Sequence, residues 1–86
     1  MTENKKQNAE QIYTYCVETI KDGTGYPLAV FTEDELEKAR AYAEKAYAGL
    51  TDGNKEVQIS EGQFDKDGNI LGEDPAVFVI ETWGEG

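Results

Sequence analysis

Apolar positions fall into four short β-like runs and one longer helical stripe. Residues 12–20, Ile12-Tyr-Thr-Tyr-Cys-Val-Glu-Thr-Ile20, are dense in aromatic and β-branched side chains and close on Lys-Asp-Gly-Thr-Gly, a strong turn signal. A second strand is predicted over residues 26–31. Pro27 has no N–H to give to a ladder, which places that end at a strand start or a sheet edge. Residues 56–60 alternate polar and apolar as a half-buried strand does, with a continuation past Gly62 to Phe64. The fourth run, residues 76–80, is apolar at every position and leads into Glu81, Thr82 and Trp83.

Between the second and third runs, Thr32 and Glu35 have the spacing of a capping box, and Glu33, Asp34 and Glu35 put negative charge at the positive end of a helix dipole. This predicts a helix over residues 33–48, capped by Thr32, with Gly49 as its C′ residue. Leu36, Ala39, Ala43, Ala46, Tyr47 and Leu50 follow the three- and four-residue steps of one face. The alanines let that face sit close on a sheet. The expected fold is therefore α+β in the order ββαββ: two hairpins joined by one helix, packed on a small antiparallel-rich sheet. It forms a single domain over residues 11–86, preceded by a flexible polar tail at residues 1–10.

In the fourth run Val77 and Val79 point to one face and Phe78 and Ile80 to the other, so both faces call for cover. One helix about 10 Å wide cannot shield a face of four strands set about 4.8 Å apart. Two arrangements satisfy the pattern. Either this is a central strand whose second face is covered by loops and the tail, or a second copy or a partner buries that face.

Charge narrows the function. Among 86 residues there are 18 Asp and Glu against 8 Lys and Arg, with no His, for a net charge of −10. Residues 56–86 hold eight acids and one base, Lys66, whereas residues 1–55 hold ten acids and seven bases. Direct binding to nucleic acid or to an anionic membrane is disfavoured, and a basic protein surface is the natural partner. A single cysteine, Cys16, excludes an internal disulfide and suits a reducing compartment. With neither an apolar span nor a secretion signal in the sequence, a cytoplasmic location is expected.

Catalytic chemistry is poorly supplied. Cys16 has no His to activate it, Ser60 is the only serine and lies in no motif, and the glycine pairs lack phosphate-loop spacing. No enzyme, cofactor or metal is expected. Residues 65–70, Asp-Lys-Asp-Gly-Asn-Ile, read like part of a calcium loop with Asp74 in the last ligand position. Gln63 stands where the first acid belongs, however, and the flanks read as strands. Asp-Gly between strands is an ordinary turn.

The acids are the best candidates for a site. Glu33, Glu37 and Glu44 follow four- and seven-residue steps on the outer side of the helix. Asp65, Asp67, Glu73, Asp74 and Glu81 cluster in the second hairpin. Either they form a solubilising surface, or they are a carboxylate array shown to a basic groove that normally takes phosphates.

Small size, one α+β domain, strong acidity and no catalytic groups together resemble the small phage- or mobile-element-encoded inhibitors of bacterial defence, the anti-CRISPR and DNA-mimic type. The helix opening, Thr32-Glu-Asp-Glu-Leu-Glu-Lys-Ala-Arg-Ala-Tyr-Ala43, is of a kind common in small phage and prokaryotic domains. The resemblance implies occlusion of a nucleic-acid-binding groove on a defence complex, with carboxylates in place of phosphates. The alternative is a homodimeric structural or adaptor protein.

Overall fold

A computed structural model describes residues 11–50, 56–72 and 76–84. The expected tail at residues 1–10 lies outside them, as do Glu73 and Asp74. The elements follow the expected order: β1 (Tyr13–Lys21), β2 (Thr24–Phe31), α1 (Leu36–Gly49), β3 (Glu56–Phe64) and β4 (Phe78–Gly84). They form one four-stranded antiparallel sheet in the spatial order β2-β1-β3-β4. The helix packs on one face, so the α+β reading holds.

The β1–β2 hairpin turns on Asp22 (φ 52°) and Gly23 (φ 80°), two successive left-handed residues between the paired Lys21 and Thr24. That geometry matches the twist of the flanking strands, and Asp-Gly suits it because glycine adopts positive φ without a Cβ clash. β2 is an edge strand, as Pro27 requires.

Helix α1 begins later than the capping box predicts. Glu35 Oε1 does accept the Thr32 N–H at 3.0 Å, the returning half of the box. The Thr32 hydroxyl, however, donates to Asp34 Oδ1 at 2.5 Å instead of capping the helix. Thr32 to Glu35 closes as a turn through a backbone bond of 2.9 Å, and the first helical residue is Leu36. Gly49 likewise is the last helical residue and not a left-handed C′ residue, and the chain leaves in an extended Leu50 whose N–H reaches the Tyr47 carbonyl.

The buried face is the one the stripe predicts. Ala39 and Ala43 lie against Val17, Val57 and Ile59, with Ala46, Tyr47, Leu50 and Trp83 packed around them. Each fully buried Val or Ile contributes about 1.5–3 kcal/mol, and the two alanines bring the backbone of α1 close enough for that burial. On the opposite face Cys16, Ser60 and Phe64 are buried without a helix above them. Their cover comes from the chain after β3, which folds back so that Phe64 bridges Ile70 and Leu71 N–H bonds the Gln63 carbonyl. At the tip, Gly68 lies over Pro27 and Cys16.

β4 is not a central strand: β1 and β3 occupy the middle, and β4 is the free edge opposite β2. Its apolar run is correspondingly open, with Phe78 63%, Val79 51% and Ile80 37% exposed. The pattern of a strand covered on both faces therefore belongs to a strand with one neighbour.

Candidate functional site

Successive residues of a helix turn by about 100°, and on α1 this sorts charge into two flanks. One flank lies over β2, where the Tyr42 and Phe31 rings meet edge to face at 5.9 Å and 60°. An open groove of about 600 Å³ runs there, lined by these rings with Ala41, Lys38, Lys45 and Glu44. The other flank faces β4. Arg40 donates from Nη1 to Glu37 Oε2 at 2.8 Å and from Nε to Glu81 Oε2, tying the helix to the edge strand. The Glu81 bond, with help from the charge of both carboxylates, raises the guanidinium pKa further above its ordinary value.

The predicted acids fall into three settings. Glu33, Glu37, Glu44 and Asp67 are exposed. Glu33 sits in the turn ahead of Leu36, so the four-residue helical step to Glu37 is not made, while Glu37 and Glu44 are two turns apart, about 10 Å along the axis. Glu37 and Glu81 share Arg40 and are partly neutralised by it. Beside Glu33, the Thr32 hydroxyl holds the Asp34 carboxyl below its ordinary range, and the Thr32 N–H does the same for Glu35.

Asp65 is a structural acid. Its Oδ1 accepts the N–H groups of Asp67 (2.8 Å) and Asn69 (3.0 Å), and its Oδ2 accepts the Asn69 amide at 3.1 Å. These bonds, led by the Asn69 N–H, lower its pKa. They build the turn on which Gly68 takes φ 85°. The hairpin-turn reading of residues 65–69 is thus realised in detail. Among the described residues, no group of three or more His, Cys, Asp or Glu converges to hold a metal ion.

Two features escaped the sequence. Glu18 Oε1 accepts from Gln58 Nε2 (2.7 Å) and Ser60 Oγ (3.1 Å) on the face opposite the helix. Residues 40 positions apart make this cluster, and no local spacing announces it. The buried Ser60 hydroxyl is therefore committed to a carboxylate. Next to it the Cys16 thiol, desolvated and close to the Glu18 charge, is pushed up to about 12. The second feature is the open edge of β4, for which the apolar run was a signal without an address.

Comparison with family models, curated proteins and solved structures gives no match. Among the described residues, no helix is long and apolar enough to cross a membrane.

Proposed function

We propose that this protein is a non-catalytic inhibitor that binds a basic, nucleic-acid-accepting groove on another protein, of the kind found in bacterial defence complexes, and keeps nucleic acid out of it. The observation that supports the reading is the exposed acids Glu37 and Glu44 on the outer side of a packed helix, with Glu33 in the turn before it; Asp67 is exposed separately, on the turn that covers the opposite face of the sheet. Carboxylates held on a folded element have already lost part of the freedom they would lose on binding, and a cationic surface would add to the partial neutralisation that Arg40 gives Glu37.

The test is competition. Protein captured from a host lysate at low salt should be released both by salt and by added nucleic acid, and reversal of Glu33, Glu37, Glu44 and Asp67 together should abolish capture. Single reversals should do little, since one exposed pair is worth about 0.2–1 kcal/mol. A ternary complex with nucleic acid, or full capture by the reversed variant, rules the reading out. The second reading, a homodimeric structural or adaptor protein, draws on the open β4 edge.

A further inference from the structure

The β4 edge carries an inference that does not depend on the acidic groove-binding reading. Among the described residues β4 pairs on one side only, with β3. An edge strand offers unpaired backbone donors and acceptors to any extended chain, and proteins usually blunt such edges with proline, lysine, a bulge or a covering loop. Among the described residues, β4 has only the bulge of these devices: Ile59 pairs with Glu81 and Ser60 with Val79, leaving Ile80 extra. Residues 76–84 contain no proline and no base. Phe78, Val79 and Ile80 stand exposed in a row.

The surrounding charge selects the occupant. Glu61 lies across from Phe78, Glu56 lies across from Gly84, and Glu81 is part of the strand. The only base in residues 56–86 is Lys66, on the turn beyond β3. A second copy would set two such acidic edges side by side, and like charges facing one another across strands are destabilising. A cationic chain meets the opposite condition.

We infer that β4 is a docking edge for an extended segment of a partner protein in which Lys or Arg alternates with apolar residues, added as a fifth strand. Main-chain bonds along β4 hold the segment, its apolar residues cover Phe78, Val79 and Ile80, and its cations meet the exposed Glu56 and Glu61, Glu81 being already engaged by Arg40.

The probe is a capped peptide of about nine residues alternating lysine and valine, long enough to span the strand. It should slow amide exchange at residues 78–82 by at least about tenfold, and it should bind at least about tenfold more tightly than the same peptide N-methylated at alternate residues or a glutamate–valine peptide. The exposed double variant F78K/V79K should lose the binding, and E33K/E44K should keep it, which separates this edge from the acidic helix surface. Equal binding of the N-methylated or acidic peptide overturns the inference. So does protection confined to β2, or a dimer whose β4 amides are protected without peptide. Should F78K/V79K fail to fold, the peptide comparison on the unaltered protein decides alone.

Discussion

The two edges of the sheet share a bulge and exposed apolar residues but differ in proline, in covering chain and in the charge beside them. On β2, Pro27 removes a donor and a bulge opposite Val17 and Glu18 interrupts the ladder. Gly68 on the β3–β4 connection packs onto the strand, and Lys38 and Lys45 line the helix groove beside it. On β4 there is a bulge alone, three exposed apolar residues and a border of acids. The β2 edge is interrupted, touched by a covering turn at Pro27 and of mixed charge, although Tyr26 and Leu28 stay exposed; the β4 edge is uncovered by the described chain and bordered by acids. The helix covers one face of the sheet, and the chain after β3 lies over part of the other, reaching β2 at Pro27.

The β2 edge should be the easier to break. A Cβ at Gly68 would lie 2.5 Å from Pro27 Cβ, in a residue at φ 85°. Gly68→Ala therefore combines backbone strain with a clash and should cost about 2–4 kcal/mol in urea unfolding. Gly23→Ala is the control, because its φ is also positive but nothing lies within 4 Å of the new methyl group. It should cost only the left-handed penalty, about 1–2 kcal/mol. Equal losses would mean that the contact between Gly68 and Pro27 contributes nothing to closure.

How far this contrast could be read in advance depends on the range of the interactions involved. Pro27 announced a strand start or a sheet edge because the missing donor is a property of the residue itself, and it proves to lie within an edge strand. Ala39 and Ala43 announced the buried side of α1 because helical spacing is local. The β4 edge was hidden because alternation reports which faces are apolar and says nothing of how many neighbours a strand has. Strand order rests on pairings such as Tyr15 with Glu61, far apart in the chain. The candidate site divides the same way. The exposure of Glu37 and Glu44 follows from the helical period, whereas the bond from Arg40 to Glu81 spans 41 positions. The helix start was misplaced because a Thr32 hydroxyl that can cap a helix can equally bond the carboxylate two residues on.

Alkaline pH sharpens the comparison from beneath the covering turn. The thiol of Cys16 has its pKa raised from 9.0 to about 12 by burial and, to a lesser degree, by Glu18. A proton held more tightly in the folded state stabilises that state below the unfolded thiol's pKa. The benefit is present in relative terms up to about pH 9 and is lost as pH rises toward 12, because the unfolded chain ionises first. At pH 10 the loss attributable to Cys16 should be about 1 kcal/mol, and the pH dependence of Cys16→Ala should be shallower by that amount. Labelling by a thiol reagent at pH 8 should be slow in the native protein and faster in Gly68→Ala, since ionisation requires the edge to open. Rapid labelling of the unaltered protein would contradict a covered Cys16.

The smallest expected effect lies on the open side and tests whether its acidity is structural or functional. Arg40 spans Glu37 and Glu81 from a position that is itself 41% exposed, so solvent screens both pairs. Replacing it with Gln should cost little unfolding free energy, since screened, exposed pairs are weak. The same change removes the cation that neutralises two acids beside β4, so attraction to a cationic peptide or protein surface should rise at low salt and converge with the unaltered protein near 0.5 M, where the screening length falls to a few ångströms, roughly the distance between neighbouring charges. Stability and binding are thus expected to move in opposite directions. If Arg40→Gln weakens both together, Arg40 helps to hold the binding surface in shape, and the acids of that flank act through the fold instead of through their charge.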